Sequence, residues 1–424
     1  MPARKRTRLQ REIDDLSSMS GGLPKEYAKM SRRQTLQAER ARKQKAAADA
    51  AAKAEAIRAT FMAQRKPTGA ALGERGDGSF HISFVQMGQG DCTIMSTPDG
   101  KVILVDCGTN SQDEEKTEDY NPRVRDELTA LPFLRNTMSI DIVILSHPDK
   151  DHYNRLDTML PKGYTAHTVY HSGTIGHYHA GSKWARNRIT DETLIKKVVL
   201  TQDGNKGEST LAGKPIEPAF GAEQLERLDG TNGLRIVIED NCLITLLAAS
   251  VATDYVGDDD TADHRNRGSI VTLIELFDRT VTPTKTRKIL LCADATRSTE
   301  AFVLGDAGRA ARLAGVEIVQ AGHHGSNVTS SGRLWVDQLK PTGCVIVSAG
   351  KVGMPNHHLP GWAVINRWVQ RFEDSKRVKD ATAHLVSGWD DNTIPPSLEA
   401  RDVYQPVYAT GSNGTRTFTI KVAP

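Results

Sequence analysis

Cysteine is scarce in this sequence: five in 424 residues, Cys92, Cys107, Cys242, Cys292 and Cys344, widely spaced and odd in number. No two form a Cys-x-x-Cys pair, which argues against a disulfide scaffold or a zinc ribbon and for reduced, buried thiols in a cytoplasmic protein. Long apolar runs are missing too. None approaches the ~18 residues that a membrane helix needs, so no membrane contact is expected. The charged N-terminus lacks the apolar centre of a secretion signal. At 38% hydrophobic and 25% charged, the composition is that of a globular chain with one large or two modest domains.

Net charge is small, +3, but unevenly spread. Residues 1–67 hold 17 Lys and Arg against 7 Asp and Glu, a net of +10, which leaves −7 on the remainder. The arm is rich in Ala, Lys, Arg, Glu and Gln, and a helix is expected over about 30–60. It has too few large apolar residues for a coiled-coil seam. Two readings stand side by side: a solvated, partly disordered tail, or an electrostatic arm for nucleic acid or a protein partner. The boundary with the body is drawn at 77/78.

From 78 onward the texture is that of short strands. His81–Met87, Cys92–Met95 and Lys101–Asp106 are bounded by turn residues, and 140–145 is a continuous apolar run. Further strands are expected at 166–171, 234–249, 269–276, 287–293, 316–321 and 343–348. Helices are expected at 122–131, 297–306, 331–339 and 361–373, and a C-terminal hairpin from 403–408 and 415–422. Strands and helices without βαβ regularity predict an α+β, two-sheet sandwich flanked by helices.

The loop after 140–145 is Ser146-His147-Pro148-Asp149-Lys150-Asp151-His152. Four potential ligands within six residues let imidazoles and carboxylates converge on one or two divalent cations. The plainer alternative is a polar strand-to-helix turn in which Asp caps the next helix.

Several segments together resemble the metallo-β-lactamase superfamily, and within it the soluble hydrolase domain of bacterial competence (DNA-uptake) channel proteins. They are Gly88-Gln89-Gly90-Asp91; Asp106-Cys107-Gly108, with Cys107 where the family usually has Gly; the loop from His147 to His152; Asn266-Arg267-Gly268-Ser269; the strand ending at Asp294; and Gly322-His323-His324-Gly325-Ser326. A later Gly-His-Pro-His-Pro segment is degraded here to Asn356-His357-His358-Leu359-Pro360. The resemblance covers about 78–422 and implies a metallo-β-lactamase-like αββα sandwich behind an N-terminal basic helical arm. It implies the hydrolase and not the transport.

By this resemblance His147 and Asp149 hold one metal and Asp151 and His152 a second. Asp294 bridges them, and His323 or His324 completes the second site. Asp149, where the superfamily more often has His, adds oxygen character and admits Mn²⁺ or Mg²⁺ as well as Zn²⁺. The first site is one ligand short; His264, His171, His177 or His179 could supply it, although for each an ordinary surface histidine is the simpler reading. Asp91 and Asp106 are expected to orient ligands through hydrogen bonds. Asp151 and His357 are the candidate catalytic residues, and Lys150 and Ser326 the candidate phosphate-binding ones. The expected activity is metal-dependent phosphodiester hydrolysis, most simply of DNA. The alternatives are a small phosphodiester, such as a cyclic nucleotide or phosphocholine ester, and a non-catalytic adaptor that uses the arm.

Overall fold

In a computed structural model, the chain is described at Ala41, Lys45 and residues 76–422, less 111–118, 131–138, 157–164, 174–177, 179–194, 203–222, 229, 252, 258–259, 351–357 and 376–381. The basic arm and its expected helix therefore lie outside the described residues, apart from Ala41 and Lys45.

Seventeen strands are described, most of them in two large sheets. In the first sheet, β1 (Ser79–Phe84), β2 (Thr93–Ser96) and β3 (Val102–Val105) form an antiparallel meander. β4 (Ser139–Leu145), β5 (Thr165–His171), β6 (Ile195–Gln202) and β7 (Glu223–Arg227) then add in parallel. The second sheet repeats the plan. β8 (Leu234–Ile238), β9 (Cys242–Ala248), β10 (Val271–Asp278) and β11 (Lys285–Leu291) are antiparallel neighbours. After them β12 (Ile318–Gln320), β13 (Cys344–Val347) and β16 (Val407–Ala409) run parallel. A separate antiparallel pair joins β14 (His384–Asp390) to β15 (Ser397–Val403).

Two-residue periodicity sorts the core. Ile82, Phe84, Ile103, Val105, Ile142 and Ile144 of the first sheet share one buried cluster with Ile244, Ile274, Leu276, Ile289, Leu291 and Ile346 of the second. Their alternates on the second sheet, among them Leu273, Leu290 and Val345, face the other way, onto helices. Those helices include α4 (Arg297–Leu304), α5 (Ala307–Leu313), α6 (Arg333–Leu339) and α7 (Trp362–Asp374). On α7, Trp362, Ile365, Trp368 and Phe372 recur at three- and four-residue steps and are buried. That is the apolar stripe of a surface helix, worth about 2–3 kcal/mol for each large side chain. Thr296 starts α4 with a reciprocal capping box to Thr299. On the opposite flank, α1 (Asn121–Ala130) meets the first sheet where Ser83 Oγ donates to Glu127 at 2.7 Å. Three shorter helices, α2 (Lys150–Tyr153), α3 (His264–Arg267) and α8 (Thr410–Asn413), sit in the loops.

Two expectations fail here. The C-terminal hairpin does not form: β16 pairs in parallel with β13, while β17 (Arg416–Lys421) crosses to the first sheet and pairs antiparallel with β1. Each strand gains a long-range edge, and the Gly-containing link becomes α8. The expected strand 234–249 is in fact the β8–β9 pair, turning at 239–241. Among the described residues no helix is long and apolar enough to cross a membrane.

Candidate metal centre

The loops that carry the chemistry can touch because glycine removes side chains at their contacts. A Cβ on Gly90 would lie 2.2 Å from the Gly108 carbonyl oxygen, and one on Gly108 would lie 2.4 Å from that of Asp151. The backbones are stitched instead: Asp91 N donates to Asp151 O (3.2 Å), Cys107 N to His152 O (2.8 Å) and Gly108 N to Asp91 O (3.0 Å). The Gly-Gln-Gly-Asp and Asp-Cys-Gly segments thus fix the height of α2 and of the ligand loop before it.

Asp106, just past β3, is fully buried at φ 54, a left-handed conformation that Asp tolerates better than most residues. Its carboxylate accepts from Ser146 N (2.8 Å) and Ser146 Oγ, and lies 2.7 Å from His152 Nδ1. With Nδ1–H donated to Asp106, His152 turns Nε2 toward the cluster. His324 is held in the same way, its Nδ1 2.6 Å from the Ser348 carbonyl. His323 Nδ1 lies 2.6 Å from Thr329 Oγ1, which in turn donates to Ser326 Oγ (2.7 Å).

Three tight groups share His152; one joins it to Asp91 and Asp106, and the other two form the candidate centre. Ligand atoms of His147, His152 and Asp294 lie within 4.8 Å of one another, and so do those of Asp151, His152 and His324. Asp294 lies between them: Oδ1 is 3.2 Å from His152 Nε2 and 3.5 Å from His324 Nε2, and Oδ2 is 3.6 Å from His147 Nε2. His324 Nε2 is 3.4 Å from Asp151 Oδ2. All are buried.

The donor set suits a divalent cation on three counts. His147 Nε2 is buried without a hydrogen-bond partner among the described residues, its near carboxylate oxygens being 3.6 and 3.8 Å away. Nε2 of His152 and Nε2 of His324 stand 3.3 Å apart; with Nδ1–H donated by each neutral ring, two lone pairs face each other there, and a cation shared by both resolves the conflict. The charges agree as well. Burial pushes the His147 imidazole well below its ordinary pKa, with His152 adding to the effect, and a neutral imidazole is the form that ligates. Burial would lower His324 too, but Asp294 and Asp151 hold it up at about 9. His152 likewise stays well above its ordinary value, against burial, through Asp294 and Asp106. The carboxylates thus concentrate positive charge at one point, a demand that a divalent cation meets with release of protons.

The other sequence-selected residues are placed as follows. Asp149 is outside all three tight groups: Oδ1 takes Arg265 at 2.8 Å, Oδ2 is 3.8 Å from His147 Nε2, and burial pushes its pKa to about 6. His323 is 3.7 Å from Asp294 through Nε2, which also meets Asn266 Nδ2 at 2.9 Å. Lys150 lies exposed on the cleft, and Ser326 is buried in its wall. Asp91 receives Gln320 Nε2 at 2.7 Å, and burial raises its pKa to about 7. Of the four histidines considered for the first site, His264 is exposed beside Asp263, and His171 is buried edge-on to Tyr178. His177 and His179 are outside the described residues, as is His357.

Three residues at the cleft escaped the sequence reading of the site. Asn266 stood inside a motif but was given no role, yet its Oδ1 is buried and unpartnered among the described residues. Arg265, its neighbour on α3, bridges Asp149 and Asp263 at 2.8 Å each. His358 lines the cleft, stacked on Trp389 with ring centres 4.4 Å apart. The cleft has a volume of about 940 Å³ and is lined mostly by polar residues, with the apolar Ala262, Val328 and Leu359 between them.

No family model matches the chain, and no curated protein matches it. Among solved structures it is similar to unliganded yeast PDE1, at 11% identity over 70% of this chain and 94% of that one, with a TM-score of 0.34. It is also similar to Rm3 metallo-β-lactamase (10% identity, 72% and 97%, TM-score 0.29). A third is a B3 metallo-β-lactamase with an active-site glutamic acid (13% identity, 72% and 93%, TM-score 0.28). The fold itself is a two-sheet α+β sandwich flanked by helices. The chemistry of this sandwich has to be argued from its own residues.

Proposed function

We propose that the chain is a metal-dependent hydrolase of phosphodiester bonds, a nuclease acting on DNA in its most specific form. One observation carries the proposal: three carboxylates, Asp149, Asp151 and Asp294, stand with His324 on an open cleft, and the buried His147 and His152 lie within 4 Å of Asp294 behind it. Oxygen-rich sets of this kind serve hard or borderline cations such as Mn²⁺ and Zn²⁺. When bound, such a cation makes water nucleophilic at neutral pH and offsets negative charge on a phosphoryl group. The protein's own part is positional. Asp106 and the Ser348 carbonyl aim His152 and His324, Thr329 aims His323, and Arg265 and Lys150 offer cationic contacts for an anionic substrate. His358, braced on Trp389, is a nearby proton donor for a leaving oxygen. His357, Ser326 and the arm keep the roles expected of them in leaving-group, phosphate and nucleic-acid contact.

A small phosphodiester is the second reading. Asp149, Asp151, Asp263 and Asp391 all line the cleft, which disfavours a long polyanion unless the cations offset them. The test is a panel: linear DNA, circular DNA, RNA and bis(p-nitrophenyl) phosphate, each with Mn²⁺, Mg²⁺, Zn²⁺ or chelator. Hydrolysis of DNA that chelator abolishes supports the nuclease, and turnover of the chromogenic ester alone supports the second reading. No metal-dependent hydrolysis of any of the four, together with no stoichiometric metal after reconstitution, refutes both.

A further inference from the structure

Behind the loop that walls the metal cleft lies a second cavity of about 390 Å³, between α4, α6 and α7. Three arginines line it, Arg297, Arg333 and Arg367. None of them has a carboxylate within 4 Å among the described residues. The one acid in the cavity wall, Glu300, uses both oxygens elsewhere, accepting from Ser331 N (2.6 Å) and Gly332 N (2.9 Å). Arg297 has Nε buried and unpartnered among the described residues. Burial first, and then Arg297 and Arg333, lower the Arg367 pKa, while Glu300 raises it.

Three guanidiniums line one cavity with Glu300 as the single acid in its wall, an imbalance that an anion would offset, and planar N–H forks match phosphate oxygens. The position gives such an anion a use. Asn327 lines the metal cleft, yet its carbonyl accepts from Arg297 NH2 and its side-chain oxygen from Arg367 NH2, each at 3.1 Å. The two cavities are therefore opposite faces of one loop. On that loop and the start of α6, Val328 and Leu334 are exposed at 55% and 80%, apolar surface over which a nucleoside could lie.

We propose that Arg297, Arg333 and Arg367 form a second phosphate-binding site, outside the metal centre, that takes a phosphate of the substrate's own chain remote from the bond being cleaved. The last clause rests on the phosphodiesterase reading; the phosphate site itself does not.

The test separates the two. Binding of pyrophosphate to the full-length protein is measured by calorimetry for wild type, R333E, R297K and, as a metal-site control, D294N. The exposed Arg333 can be changed without touching the core, and R297K keeps a cation. R333E should weaken binding about tenfold or more and R297K severalfold, with one binding event retained in D294N. Binding that is unaffected by R333E and R297K but lost in D294N overturns the site. In a second arm, KM for a 12-mer oligonucleotide and for bis(p-nitrophenyl) phosphate is compared in wild type and R333E. A rise in KM of about tenfold for the oligonucleotide alone assigns the site to the substrate chain. Equal KM values with weakened pyrophosphate binding assign it to free phosphate and overturn the substrate clause alone. If nothing is hydrolysed, the calorimetric arm still decides the phosphate site while the functional reading fails.

Discussion

Asp106→Asn isolates what the buried carboxylate does for the metal centre. Asn tolerates the φ of 54 at this position as Asp does, so the backbone is unstrained by the change. The carboxylate meets three donor-capable groups: Ser146 N, Ser146 Oγ and His152 Nδ1. An amide offers one oxygen and one NH2 in its place, and the serine hydroxyl can rotate to accept. If the amide oxygen faces His152, the NH2 confronts the Ser146 N–H, and a buried donor is left unpaired at a cost of about 1–3 kcal/mol. If the oxygen faces Ser146 N, the NH2 confronts His152 Nδ1, which must then accept and moves its proton to Nε2. Nε2 is the atom directed at Asp294 and His324, so this tautomer cannot ligate. Either way a price falls on stability or on affinity. We expect Mn²⁺ or Zn²⁺ affinity to drop about 10- to 100-fold, the usual effect of losing a ligand's hydrogen-bond partner. Titration calorimetry reads the affinity, urea unfolding the stability, and imidazole ¹⁵N shifts the tautomer. Metal affinity within twofold of wild type, with unchanged stability, would refute the argument that Asp106 sets His152.

Asp151→Ala should abolish hydrolysis yet leave Tm within about 4 °C, because it also removes one of several crowded carboxylates; near-wild-type turnover would place Asp151 outside the chemistry. Burial pushes the Glu300 carboxyl from its ordinary 4.5 to about 8. A pKa raised on folding gives stability that is complete below 4.5 and is lost as pH rises toward 8, on the order of 5 kcal/mol in all. Tm should therefore fall from pH 5 to pH 8 in wild type and fall less steeply in E300Q, and parallel Tm–pH curves would contradict the assignment. Deleting residues 1–67, with their net +10, should leave turnover of bis(p-nitrophenyl) phosphate unchanged while weakening DNA binding and flattening its salt dependence. Equal affinity and equal salt slope in both forms would make the arm something other than a nucleic-acid element.

Legibility followed distance along the chain. The loop from His147 to His152 could be read because its candidate ligands are neighbours in sequence and follow an unbroken apolar strand. Helices such as Arg297–Leu304 and Trp362–Asp374 were readable from local caps and apolar stripes. Asn266, Arg265 and His358 were not, since nothing near them in sequence says that α3, ahead of β10, and the segment before α7 deliver them to one cleft. Strand β7, Glu-Gln-Leu-Glu-Arg, has only one apolar residue and pairs by position in the sheet, not by pattern. The false hairpin has the same origin: β16 and β17 look like partners until two distant strands, β13 and β1, outcompete the local turn.

The sheets also give a reason for where the ligands fall. Each sheet begins as an antiparallel meander and then turns parallel, first at β3–β4 and again at β11–β12. Parallel neighbours end on the same side of a sheet, so the residues just beyond them gather into one crevice. Asp106 follows β3, the ligand loop follows β4, Asp294 follows β11 and His323–His324 follow β12. Two equivalent switch points, faced across one sandwich core, supply both halves of the cluster. A substitution that disturbed either switch point should therefore impair both ligand groups together, because His152 and Asp294, each from a different sheet, stand 3.2 Å apart at the join.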